Sequence, residues 1–265
     1  MSALLFEKSD HVVTLTINRP ESRNPLGEEG DGELFADAVQ RINADRDVRC
    51  AILTGAGKAF SAGGNLKAMR ERAGSFSGSG VHIRERYRTG IHRMVRAIWG
   101  IEVPLIAAIN GPAIGLGNDV ACLADLRIAA DGAIFGATFL KVGLVPGDGG
   151  AWILPRTIGM ARAAELFFTG DTIDAQTALA WGLVSKVVPA AQLLDEARAL
   201  AARICRQPPD VLRMTKRLMR EGQGASFDTI MEMSAAMQSL AHMTQDHAEA
   251  VAAFFDKRNP SFKGE

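Results

Sequence analysis

The stretch that most constrains this chain runs from Pro104 to Asp131, PLIAAINGPAIGLGNDVACLADLRIAAD. Its apolar opening, Pro104 to Ile109, reads as a buried strand. The run breaks at Asn110-Gly111-Pro112, passes Gly115-Leu116-Gly117, and resumes as an apolar helical pattern carrying one acid, Asp119. A strand that turns through glycines into a helix aims free backbone N–H groups at an anion. The expectation is a turn that holds a developing negative charge, with Asp119 moving protons beside it.

At 265 residues the chain can bury a sizeable core. Thirty basic residues balance thirty acidic ones, which argues against a nucleic-acid partner recruited by overall charge. No run reaches the roughly 18 apolar residues of a membrane span. The first residues, MSALLFEKSDH, lack the basic lead and long apolar core of a secretory signal. Cys50, Cys122 and Cys205 are scattered in apolar contexts without metal-ligand spacing, so a reducing cytoplasm and no bound metal are expected.

Leu4 to Phe6 and His11 to Asn18 read as a hairpin, Glu33 to Ala44 as a helix, and Cys50 to Thr54 as a short buried strand. A loop of small residues, Gly55 to Asn65, follows and allows close backbone approach to a ligand. Gly74 to Gly80 reads as a flexible loop, and Val81 to Trp99 as one helix with a basic exposed face. A second glycine turn, Val142 to Gly150, opens another helix. From Arg162 onward the pattern is mainly helical, with one late strand at Leu183 to Val188. Strands and helices alternating first, with helices last, predict an α/β core and a helical C-terminal part.

Several of these stretches carry a family likeness. Thr16 to Pro20, Lys58 to Lys67, Pro104 to Asp125, Val142 to Arg156, Ala180 to Val184 and Glu249 to Lys263 resemble, in order, segments of the enoyl-CoA hydratase/isomerase (crotonase) superfamily. The resemblance implies a spiral of β-β-α turns over residues 1–195, and a helical region over 196–265 for trimerisation and CoA cover. It implies an acyl-CoA thioester as substrate, with no cofactor beyond the coenzyme A that the substrate carries. Homotrimers, often paired into hexamers, are implied too. Carried over by position, the N–H groups of Gly64 and Leu116 would form an oxyanion hole for the thioester. Arg19, Ala62, Asn65, Lys67, Phe139, Phe255 and Lys257 would contact substrate or its CoA.

The acids depart from the hydratase pattern, in which two glutamates flank the substrate. Asp119 occupies the first position, about 1.5 Å shorter in reach. Phe139 occupies the second and transfers no proton. Asp148 lies in the second glycine turn, one residue after the position where some relatives carry a catalytic acid. Each aspartate has a bland alternative as a helix cap. With Phe139 in place, mechanism favours a double-bond shift with Asp119 as base, while family frequency favours hydration of a 2-enoyl-CoA. Other classes stay open: a catalytically silent acyl-CoA binder, or an RNA-binding member using the arginines between Arg70 and Arg96.

Overall fold

A computed structural model describes residues 2–265. The chain opens with an antiparallel hairpin of β1 (Leu4–Ser9) and β2 (Val12–Ile17). Helix α1 (Asp31–Ala44) returns the chain to β3 (Cys50–Gly55), which pairs in parallel with β2. Then come α2 (Leu66–Glu71), α3 (Gly80–Arg86) and α4 (His92–Trp99). The single helix expected over Val81 to Trp99 is interrupted: Tyr87–Ile91 forms a wide π-type turn between α3 and α4. Such turns insert an extra residue and re-aim the side chains around them. The loop over Gly74 to Gly80 is partly ordered, since Ser75 Oγ donates to the Gly27 carbonyl at 3.1 Å.

Strand β4 (Leu105–Ile109) extends the parallel ladder, followed by β6 (Leu126–Ala130) and, from far along the chain, β9 (Lys186–Val188). Every residue of β3 and β4 is buried, as central strands covered on both faces require. Alternation along these strands divides the core into two layers. Ala51, Leu53, Leu105 and Ala107 face the apolar side chains of α1, α4 and α5 (Leu116–Leu123). Cys50, Ile52, Ile106 and Ala108 face α9 (Leu193–Cys205) through Leu193, Ala197 and Ala201. Helix α9 therefore straddles residue 195 and covers the sheet.

A small second sheet joins β5 (Ala113–Ile114), β7 (Ile134–Gly136) and β8 (Thr172–Asp174). Helix α8 (Ala175–Ala180) packs on it, while α6 (Gly150–Ile158) packs against α5 and α7 (Met160–Thr169). After α9 come α10 (Pro209–Glu221), α11 (Phe227–His242) and α12 (Gln245–Asp256). Helix α10 is tied to the core: the buried Lys216 ammonium donates to the Val103 carbonyl at 2.7 Å and pairs with Asp125 at 2.6 Å. Helix α11 buries no residue, and α12 leaves Phe254 and Phe255 exposed. No helix among the described residues is long and apolar enough to cross a membrane.

Candidate active site

Two loops that follow the parallel strands run side by side. Ser61 N–H donates to the Pro112 carbonyl at 3.0 Å, and Ile114 N–H donates to the Ser61 carbonyl at 3.0 Å. Leu26 N–H donates to the Gly63 carbonyl at 2.9 Å, adding a third strand of chain. Gly63 adopts φ +87°, and a Cβ there would lie 2.5 Å from the Ile114 carbonyl oxygen. Only glycine permits this approach. The lacing brings Gly63 against the Leu116 backbone nitrogen, 3.5 Å from where that Cβ would sit. Leu116 is the first residue of α5, and Gly115 precedes it at φ 54°, ψ −121°. The N–H groups of Gly64 and Leu116 donate to no protein acceptor among the described residues.

These two residues line one side of a cavity of about 110 Å³. Phe139 and Asp148 line another, and Tyr87 and Ile91 a third. Met69, Phe76, Val142 and Leu144 complete a largely apolar enclosure. The Phe139 ring packs over the open face of Gly115. Asp148 is only 5% exposed, and its Oδ1 has no hydrogen-bond partner. Burial pushes its carboxyl up to about 6. It does not cap α6, whose N-cap is Gly149, without a side-chain bond.

Asp119 sits behind this wall. It is 1% exposed, does not line the cavity, and makes no cap, since α5 starts from Gly115. Gly150 is pressed onto it: a Cβ there would lie 2.5 Å from the carboxylate carbon and closer still to both oxygens. Burial first, and then the charge of Asp148, hold the Asp119 carboxyl well above the usual carboxylate range. The Gly150 N–H and the Asn118 amide favour the anion, but neither closes a well-formed hydrogen bond, and both carboxylate oxygens remain unpartnered. Burial therefore decides the outcome.

The remaining expected contacts divide into one that lines the cavity, Ala62, and others that are structural or exposed. The Arg19 guanidinium is already paired with Asp31, at 2.5 Å and 3.1 Å, and also donates to the Pro25 carbonyl. It anchors the start of α1 instead of standing free for a phosphate. Asn65 caps α2, accepting from Ala68 N–H at 3.0 Å, and donates to Glu28 at 2.7 Å. Ala62 lines the cavity, and its N–H donates to the Arg23 carbonyl at 2.9 Å. Lys67, Phe255 and Lys257 are exposed and outside the cavity.

Tyr87, the one tyrosine of the chain, has no counterpart among the expected site residues. The wide turn at Tyr87–Ile91 places it on the cavity, where burial and the charge of Asp148 raise its ionisation to about 12. Its hydroxyl thus keeps its proton throughout the neutral range. Gly90, a helix-weakening residue within the apparent helix, is the one sequence signal of that turn. His92 was also outside the expected set. Its Nε2 lies 2.8 Å from the Gly147 carbonyl, so an N–H there ties α4 to the turn that carries Asp148.

Comparison with known proteins gives concordant results. The sequence profile of a family described as enoyl-CoA hydratase/isomerase matches residues 7–265. The chain is 35% identical to the 1,2-epoxyphenylacetyl-CoA isomerase of Escherichia coli (strain K12), covering 100% of this chain and 99% of that protein. It is 36% identical to the crotonyl-CoA hydratase of Syntrophomonas wolfei, covering 98% and 97%. Its fold superposes on the crystal structure of an enoyl-CoA hydratase from Bacillus anthracis with a TM-score of 0.92, at 34% identity over 100% of both chains.

Proposed function

This chain belongs to the enoyl-CoA hydratase/isomerase family of acyl-CoA-processing enzymes, and we propose that it shifts a double bond within an enoyl-CoA, with Asp148 as the base. One observation carries the reading: Asp148, and not Asp119, is the carboxylate that lines the cavity. With its carboxyl at about 6, Asp148 is ionised at neutral pH yet basic enough to take and return a proton. Burial and the neighbouring charge of Asp148 both favour the neutral form of Asp119 behind it, so the carboxylate that faces the cavity is the readier of the two to ionise.

The unpartnered N–H groups of Gly64 and Leu116 serve as an oxyanion hole. Each such donor is worth about 3–4 kcal/mol at the transition state. Asp148 removes a proton from carbon, the electron pair delocalises onto the thioester oxygen, and the two N–H groups hold that charge. The same carboxyl then returns the proton at the far carbon of the conjugated system. Phe139 offers no second proton, and Val142 and Leu144 keep the enclosure apolar. The exposed Phe227, Met231, Phe254 and Phe255 support assembly as a homotrimer or hexamer. Three buried free thiols support a cytoplasmic setting.

Hydration has one observation in its favour: two neighbouring carboxylates, the deeper of which is the more strongly driven toward its neutral form. Separate assays with a 3-enoyl-CoA and a 2-enoyl-CoA decide between them. The expected result is conjugation of the 3-enoyl thioester, with little hydration of the 2-enoyl one. Asp148→Asn should lower kcat by about 10²- to 10⁴-fold, and kcat/KM of the wild type should rise with pH to a plateau above about 6. Rapid hydration without isomerisation would replace the reading, and full activity in Asp148→Asn would remove Asp148 as base. Binding without turnover of either thioester would leave a silent acyl-CoA binder.

A further inference from the structure

Beyond the cavity lies a second hollow, a cleft of about 520 Å³ lined by Arg84, Arg88, His92 and Arg96 along one wall. Leu144, Val145 and Gly147 form the other. Tyr87 and Leu144 line both the cleft and the catalytic cavity, so these two side chains are the partition between them. The four basic positions recur every four residues. In a regular helix that spacing drifts around the axis by about 40° per step. The wider winding of the Tyr87–Ile91 turn offsets part of the drift and keeps the stripe facing the cleft.

Other arginines of this segment are committed. Arg86 bonds the Ser77 carbonyl, and Arg93 pairs with Glu33 at 2.6 Å. Arg88 makes only a long contact with Glu85 at 3.3 Å. Arg84 and Arg96 have no side-chain acceptor among the described residues. Glu85 is thus the one acid paired with this group, and the cleft carries a net positive charge beside the partition of Tyr87 and Leu144. Guanidinium groups recognise carboxylates through paired N–H donors in a fixed fork.

We infer that the acyl chain of the substrate ends in an anion, and that Arg84, Arg88 and Arg96 recognise a terminal carboxylate reaching them past Tyr87 and Leu144. The inference rests on the acyl-CoA reading above and names the class of acyl group. It places the thioester at Gly64 and Leu116, the reacting carbons beside Asp148, and the distal carboxylate in the cleft.

The test measures affinity, so it does not depend on turnover. Saturated dicarboxylic monothioesters of CoA are compared, by isothermal titration, with monocarboxylic thioesters of the same chain lengths. At one chain length or more the dicarboxylic form should bind about tenfold more tightly, the scale of one charge-assisted contact. The ratio should fall to within about twofold in Arg84→Gln/Arg88→Gln/Arg96→Gln, and it should shrink in wild type as salt screens the exposed cations. Equal affinities at every length would overturn the inference alone. A preference that survives the triple substitution, or is indifferent to salt, would overturn it as well. Failure of both series to bind would overturn the acyl-CoA reading and this inference with it.

Discussion

Two parts of the cavity lining differ in construction. One is backbone: the laced loops at Ser61–Gly64 and Pro112–Leu116, backed from outside the cavity by Gly150 pressed onto Asp119. The other is side chain: Tyr87 and Ile91, presented by a helix with a wide turn in its middle. At Gly63 an added methyl group collides with a carbonyl oxygen and at Gly150 with a carboxylate; on the helix it meets open space at Gly90. On the proposed function the difference divides the work: the two N–H donors stand on closely packed backbone, and the side chains that would meet the acyl chain stand where a residue can change without moving the backbone.

The largest effect should come from breaking the rigid wall. In Gly150→Ala the new methyl would lie within 2.5 Å of the Asp119 carboxylate, which is buried and has no open side to retreat to. Overpacking of this kind costs about 3 kcal/mol, and chemical denaturation should show the loss. Removing the obstacle separates this clash from a general intolerance of α6. Gly150→Ala combined with Asp119→Gly should recover most of the stability, and a double variant no better than the single one would break the argument.

Next in size is the electrostatic cost of Asp148. Its folded-state carboxyl is raised from an ordinary 3.8 to about 6, so between these values the folded protein holds a proton that the unfolded chain has released. Stability contributed by this group is present below about pH 4 and is lost as pH rises through about 6. The full cost is about 2–3 kcal/mol. Asp148→Asn should therefore be more stable than wild type at pH 7.5 by that amount and equal to it near pH 4. Asp119 acts in the same direction, since Asp148's charge is part of what raises it. A difference between variant and wild type that does not change with pH would remove the burial argument, and with it the reason Asp148 titrates near neutrality.

Much of the rigid wall was legible because its elements are continuous in the chain. The apolar runs of β3 and β4, the glycine turn before α5 and the helices after Arg162 all show in local pattern, as does membership of the family. Which of the two acids lines the cavity was not legible. Asp119 looked like the base because it follows the glycine turn. What places it behind the cavity is Gly150, from a different turn, lying on its carboxylate. Arg19 and Asn65 sit in family-like stretches and read as CoA contacts, yet their polar atoms are engaged by Asp31, Ala68 and Glu28. Sequence shows a charged group and not whether the fold has already used it. Tyr87 was missed because a regular helical period runs straight through Val81 to Trp99 and hides the turn that aims it.

The smallest prediction tests the permissive wall. Gly90 lies in the wide turn with no left-handed backbone angle, and a Cβ there meets nothing within 4 Å. Gly90→Ala adds no contact and removes none; it restricts the unfolded chain and suits a helical conformation. It should therefore stabilise the protein by about 0.5–1 kcal/mol. The informative measurement is the pair: the same glycine-to-alanine change costs about 3 kcal/mol at Gly150 and gains a fraction of that at Gly90. If Gly90→Ala instead destabilises, the turn needs glycine for its own geometry. The helix wall would then be as constrained as the backbone wall, and selection among acyl chains would have to be sought in the side chains of Tyr87 and Leu144 alone.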